Sequence, residues 1–377
     1  MKSKKIIVAA LSTAAILVGA GCAGTTAPAG DSSDITIGGL APLTGDGAGY
    51  GVEFQRIAEI ALADINEAWA DKGMTLDIQW EDGACNGKDA STAAAKLVDI
   101  DKVEVILGGF CSSETLAAAP ITEAGGVILF SPGSSSPDVS DAGDYVYRNW
   151  PSDAFQGQKM ADLASSLGYG KIAVISEQQD YTLGISRVFT EQFEAAGGEV
   201  AEEFYLSEDT DYKTQLTKLN QEGADAFLIN PQTPVKSEVI IKQMQELGIE
   251  GPFLLNDVAG TSTEVLSKFS DYLEGSSTST PFLDEDSAEF KALVDEYTAA
   301  YSEGFQYQAY GASVYDATWI LANALAEVGN DSDAVQAHLN DFPGYTGLMG
   351  ATSFDSNGDP LSGHSVFMIS GGELQLQ

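Results

Sequence analysis

The chain has 377 residues, 44% of them hydrophobic, enough to bury a sizeable core in roughly two to three domains. Its 18 Lys and Arg face 56 Asp and Glu, a net charge of −38. A surface this acidic repels phosphate backbones and argues against nucleic acid as a partner. Whether it reflects a saline habitat, where screening relieves self-repulsion, or a merely acidic exported protein stays open.

The opening "MKSKKIIVAALSTAAILVGAGC" joins a basic start to an apolar run and small residues, the pattern of a secretory signal over 1–21. The run is short for a membrane-spanning helix. Its end, "GAGC", resembles a bacterial lipobox with Cys22 as the lipidated residue, although Gly19 stands where that pattern usually has Leu. Residues 22–33 are small and polar, with nothing to bury, and read as a flexible tether.

Strand and helix patterns then alternate. "ITIGGLAP" (35–42) is a strand, and Phe54, Ile57, Ala58, Ala61, Leu62, Ile65 and Trp69 recur at helical spacing up to a Gly73 stop. "MTLDIQWED", "VEVILGGF" and "GVILF" read as strands, with "ASTAAAKLVDI" and "TLAAAPITEA" as helices between them. Repeated β–α–β units imply a parallel sheet covered by helices. After "RNWPSDAFQG" the rhythm restarts: "GKIAVISE", "GEVAEEFYL" and "ADAFLIN" precede helices at about 182–196, 212–222 and 234–247, and "GPFLLND" closes the series. Two successive α/β runs of similar size mean two lobes. Helix patterns at 286–303 and 309–328 follow. The tail reads as short strands joined by Asn357-Gly358 and Gly371-Gly372 turns.

The order of these elements and several motifs resemble the type I periplasmic binding proteins, in particular the leucine/isoleucine/valine-binding proteins of ABC importers. The most specific segment is "CSSETLAAAPITEAGGVILFSPGSSSP"; "LTGDGAGYG", "EDGAC", "QQDYTLG", "NDVAG" and "YGASVYDA" support it. The resemblance implies an α/β fold of two doubly wound parallel-sheet lobes, joined by three crossovers, with the ligand in the cleft between them. Lobe one is expected at 34–152 plus 281–345 and lobe two at 153–280 plus 346–377. It also implies a disulfide between Cys85 and Cys111, which suits an oxidising compartment.

Two strands of the first run end at small polar residues: Cys111-Ser112-Ser113 and Ser131-Pro132-Gly133-Ser134-Ser135-Ser136. In an open α/β sheet, ligands bind beyond the carboxyl ends of the strands, where a helix N-terminus offers free N–H groups to an anion. Ordinary helix capping fits the same serines. By resemblance, Ser112 and the Ser135 N–H hold an α-carboxylate, and the Gly133 carbonyl and Ser135 hydroxyl take an α-ammonium. Asp257, past the strand in "LLNDVAG", is then the ammonium's counter-charge, with an N-cap for the segment at 261 as its plainer role. The same resemblance implies that Tyr181 covers the ligand, with a half-buried surface aromatic as its plainer role, and that Tyr50, Phe110 and Tyr310 line the ligand's side chain, where plain core packing fits them as well. Phe110 replaces a smaller aliphatic residue of the family. Trp150 adds an aromatic surface or plain core packing, and Asp153 matches an acidic position near the cleft.

Enzyme motifs are missing. There is no G-x-S-x-G elbow, H-E-x-x-H, P-loop or dinucleotide fingerprint, and neither His338 nor His364 lies near a serine motif. "DSNGD" (355–359) is a hairpin turn rather than an EF-hand, because its Gly comes too early. The expectation is an exported, lipid-anchored, monomeric substrate-binding protein in the periplasm or on the outer face of the cytoplasmic membrane. It passes an aliphatic amino acid to an ABC permease by hinge closure, without metal or cofactor. Two rivals remain: the same fold holding an amide, urea-like compound or aromatic acid, and a sensory ligand-binding module.

Overall fold

A computed structural model describes residues 33–304 and 306–377. The expected signal and Cys22 lie outside the described residues. Five parallel strands, β1 (Ser33–Ala41), β2 (Met74–Asp82), β3 (Val105–Gly108), β4 (Ile128–Ser131) and β5 (Val146–Arg148), form the first sheet in the order β2-β1-β3-β4-β5. The crossovers between the first four strands carry α1 (Ala48–Trp69), α2 (Gly87–Ala95) and α3 (Ser112–Gly125). The apolar stripe of α1 is buried against one face of this sheet, from Phe54 through Ile57, Ala61 and Ile65 to Trp69. On the opposite face, Leu40, Ile106, Leu129 and Val146 pack against small side chains of α2 and α3, which bring those helices close.

The chain crosses between Arg148 and α4 (Asp153–Ser166) into a second sheet. That sheet contains β6 (Lys171–Glu177), β7 (Glu199–Tyr205), β8 (Ala226–Asn230), β9 (Phe253–Leu255) and β10 (Ser277–Pro281), all parallel. Between them run α5 (Asp180–Ala195), α6 (Lys213–Gln221), α7 (Pro234–Glu246), α8 (Asp257–Thr261) and α9 (Thr263–Leu273). After β10 the chain returns: α10 (Ala288–Tyr301), α11 (Gln308–Val328) and α12 (Ser332–Asn340) complete the core around α1. A hairpin, β11 (Tyr345–Gly347) and β12 (Gly350–Thr352), follows on the same lobe. The third crossover leads to β13 (His364–Ser370) and β14 (Glu373–Leu376), which extend the second sheet antiparallel to the order β14-β13-β10-β9-β8-β6-β7.

The two-lobe architecture is the one expected, with local differences. The strand β5, the helices α4, α8, α9 and α12, and the strand β10 go beyond the elements read from sequence. The tail also changes lobe later than residue 345. Tyr345, Leu348, Met349 and Phe354 pack on the first core, and Asp359 forms an ion pair of 2.6 Å with the fully buried Arg148. His364 is the first tail residue paired to the second sheet, opposite Pro281.

Candidate functional site

The carboxyl ends of β3 and β4 meet in the cleft, as this sheet topology dictates. Cys111 is the N-cap of α3, and the Glu114 side chain turns back to accept the N–H groups of Cys85, Phe110 and Cys111 at 2.9–3.0 Å. Cys85 and Cys111 form the disulfide, with Cα atoms 5.3 Å apart. Burial pushes the Glu114 carboxyl up to about 7, against the pull of those N–H groups.

A hydroxyl lattice fixes the second turn to the first. Ser131, Ser134 and Thr115 all donate to the Gly109 carbonyl, and the Ser112 oxygen accepts the Ser136 N–H at 3.0 Å. Arg148 donates to the Ser134 and Ser136 carbonyls on either side of Ser135. Ser135 is thus held from both flanks, while its own Oγ, fully buried, makes no well-formed hydrogen bond but lies close enough to the Asp153 carboxyl to act on it. At Gly133 a Cβ would lie 2.1 Å from the Phe110 ring, so only glycine lets that ring lie on the turn. Helix capping does not use Ser112 or Ser135; Cys111 and Ser136 occupy the cap positions.

The opposing wall comes from the second lobe. Asn256 caps α8 through its side chain and Ser262 caps α9, which leaves Asp257 free of the capping role. The Asp257 carboxylate, completely buried, accepts Tyr181 OH on one oxygen and Tyr310 OH on the other, the latter at 2.7 Å. Tyr310 belongs to α11, so this bond crosses the cleft. Tyr310 was expected in the apolar wall; its ring does stack on Trp150 at 4.0 Å, but its hydroxyl is polar clamp. Tyr50 packs on Phe110 at 5.6 Å and on Tyr307 at 4.3 Å, with Phe54 behind them.

Nine residues close a small cavity of about 10 Å³: Tyr50, Phe110, Cys111, Ser112, Gly133, Tyr181, Gln232, Val258 and Tyr310. Six of them were named from sequence as ligand residues and a seventh, Cys111, as a disulfide partner. Ser135, Trp150 and Asp257 lie outside its lining, and Gln232 and Val258 were not foreseen because nothing local in the sequence marks them. A larger cavity, about 690 Å³, lies elsewhere on the first lobe, among Asp64, Glu296, Tyr315, Asp316 and Met349. Size favours that cavity, but polar chemistry favours the cleft. Of ten buried side-chain atoms without a hydrogen-bond partner among the described residues, four are at or beside the cleft, namely Tyr50 OH, Ser135 Oγ, Trp150 Nε1 and Asp153 Oδ2, and none lines the larger cavity. Each such group costs about 1–3 kcal/mol unless something pairs with it, so their convergence points to a recognition site.

Two buried carboxyls face this region. Asp153, first residue of α4, is raised well above the usual carboxylate range by burial and then by the charge of Asp257; the Ser135 hydroxyl and Arg148 draw it partly back. Asp257 is raised by burial, with its tyrosine hydroxyls and Gln156 opposing. Gln156 links the two, donating to Asp153 Oδ1 at 3.1 Å and accepting the Asp257 N–H at 3.3 Å. Among the described residues no group of His, Cys, Asp and Glu is arranged to hold a metal, and no helix is long and apolar enough to cross a membrane.

The family described as "Periplasmic binding protein" matches residues 34–372. An "Amino acid binding protein" of Pseudomonas aeruginosa is 30% identical over 337 residues, 87% of each chain. Among solved structures, the leucine binding protein LivK from Thermotoga maritima superposes with a TM-score of 0.80 at 27% identity, covering 91% of this chain and 97% of its own. The branched-chain amino acid transporter substrate binding protein LivJ from Streptococcus pneumoniae, solved with isoleucine, gives 0.80 at 26%, covering 91% and 98%. The chain belongs to the periplasmic binding protein family, type I, in the branch of the leucine/isoleucine/valine-binding proteins.

Proposed function

We propose that this member of the periplasmic binding protein family is the extracytoplasmic, substrate-binding component of an ABC importer, and that it captures an amino acid with an aliphatic side chain and delivers it to a permease. One observation carries the reading: a turn offering Ser112, Gly133 and Ser135 stands across the cleft from the buried carboxylate of Asp257. A zwitterion matches both sides, its carboxylate at the α3 N-terminus and its ammonium toward the acid. Tyr50, Phe110, Trp150, Tyr181 and Tyr310 surround the side chain. An amide, a urea-like compound or an aromatic acid lacks the cation and leaves buried carboxylates unmatched, which is costly.

In this reading the protein works as a monomer tethered through lipid on Cys22. Residues 34–152 with 281 to about 360 move as one lobe, and 153–280 with the remaining tail as the other. The ligand favours closure because only the closed state joins both walls to it. A thermal-shift screen of the twenty amino acids, benzoate, acetamide and urea tests the function on protein freed of carried-over ligand by unfolding and refolding. The reading expects stabilisation by aliphatic amino acids; stabilisation by benzoate, acetamide or urea alone contradicts it.

A further inference from the structure

The larger cavity, about 690 Å³, opens on the first lobe away from the cleft, and no residue lines both. That volume suits a small organic molecule. Its floor is firmly held. Asp316 of α11, completely buried, accepts the Leu348 N–H at 2.9 Å and the Met349 N–H at 2.8 Å, which pins the β11–β12 hairpin to the helix. Only glycine at 347 lets the hairpin lie this close, since a Cβ there would sit 2.1 Å from Asp316 Oδ1. Leu293, Tyr315, Tyr345, Leu348 and Met349 give apolar and aromatic walls, and Phe282 of the second crossover, 52% exposed, joins them.

The charge around this apolar surface has one sign. Asp64, Asp284, Glu289 and Glu296 line the cavity with Asp316, and no Lys, Arg or His does. Carboxyls elsewhere on the surface pair with bases, as Glu222 does with Lys171 and Glu238 with Lys268. Among the described residues none of these four acids forms an ion pair; Asp64 accepts the Tyr315 hydroxyl at 2.7 Å instead. Burial and the charge of Asp64 raise the Glu296 carboxyl, a repulsion that a bound cation relieves. A bare metal ion does not fit, because among the described residues no group of acids is arranged to hold one. A carboxylate fits no better, since no base faces it and the Leu348 and Met349 N–H groups are already given to Asp316.

We propose that this cavity is a second binding site, for an organic cation: an ammonium carried on an apolar or aromatic body. The ammonium is drawn to Glu296 and Asp64, and its body lies against Tyr315, Tyr345 and Met349, where aromatic faces also attract positive charge. Selectivity is the reverse of the cleft's. A simple amine is accepted, and the carboxylate of a zwitterion is repelled.

Calorimetric titration of the refolded protein with phenethylamine, its uncharged counterpart phenethyl alcohol, and benzyltrimethylammonium tests the site. Phenethylamine should bind at least about 10-fold more tightly than the alcohol, which lacks the charge-assisted contact. Glu296→Gln and Asp64→Asn should each weaken the amine by about 3- to 10-fold, and Glu296→Lys by more. Glu373→Gln, on the exposed β14 of the other lobe, should leave it unchanged. The amine should still bind when the amino acid chosen by the thermal-shift screen is present in saturating amount. No binding by either cation overturns the proposal, and so does equal affinity for amine and alcohol. Equal weakening by Glu373→Gln and Glu296→Gln also overturns it, since that marks diffuse attraction to an acidic surface. Displacement of the amine by the amino acid does the same, because it places the amine in the cleft.

Discussion

The first-lobe wall of the cleft holds its shape by itself, whereas the second-lobe wall is completed from across the gap. On the first wall a disulfide, the three-pronged Glu114 and a lattice of serine and threonine hydroxyls fix a backbone turn within one lobe. On the second, Asp257 depends on Tyr310 from the other lobe, and Gly184 of α5 meets Pro137 so closely that a Cβ would sit 2.7 Å from it. Outer ion pairs also cross, Arg187 to Asp138 at 2.6 Å and Lys236 to Asp46 at 3.2 Å. In the proposed reading this difference is a division of labour: the pre-formed wall would set the ligand's position, and the wall completed from across the gap would convert the ligand's charge into closure. Pre-organisation lowers the cost of binding to the first wall, and differential contact with the second shifts the open–closed balance.

The strongest way to break this contrast is Asp257→Ala. It removes a carboxylate from a desolvated cleft and strands two tyrosine hydroxyls, so binding should weaken by about 2–5 kcal/mol and ligand-driven compaction in solution scattering should shrink. Replacing both Cys85 and Cys111 by serine attacks the other wall. Denaturant unfolding should show a loss of about 2–4 kcal/mol of stability, and alkylation of folded, exported wild type should find neither thiol free before reduction.

Glu114 adds a pH signature to the first wall. Its folded value, about 7, lies above the ordinary 4.5, so the unfolded chain gives up this proton first as pH rises. Its contribution is therefore present in full below about 4.5 and lost as pH climbs through 7, a change of up to about 3 kcal/mol. Unfolding free energy measured from pH 4.5 to 8 should fall less steeply in Glu114→Gln than in wild type. Ser135→Ala is the mildest probe, because it keeps the backbone N–H. It should cost about 1–2 kcal/mol of affinity by calorimetry, with unchanged melting.

The sequence made the first wall more legible than the second. Short apolar runs ending at Ser112 and at Gly133–Ser136 announce strands that deliver hydroxyls and bare backbone to one edge, and that reading needs only local pattern. What escaped depends on distance along the chain. Arg148 and Asp359 are 211 residues apart, and nothing near either predicts their pairing, so the lobe of the 346–359 segment was misjudged. Gln156 is an unremarkable glutamine until α4 places it between Asp153 and Asp257. That helix was itself obscured because its buried face is made of Gln156, Gly157, Ala161 and Ala164 with Met160 as the one large apolar side chain, too little contrast for periodicity to register. Tyr310 reads as an apolar wall in sequence because its ring packs as one; only its partner reveals the hydroxyl's task.

The central claim is that one amino acid is gripped by both walls at once. A crystal structure of the refolded protein with the amino acid selected by the thermal-shift screen addresses it most directly. The account predicts the carboxylate on Ser112 and the Ser135 N–H, the ammonium between the Ser135 hydroxyl and the acids Asp153 and Asp257, and the side chain against Tyr50 and Phe110. Density for the amino acid in the larger cavity beside Tyr315 and Met349, or a carboxylate turned toward Asp257, would contradict it.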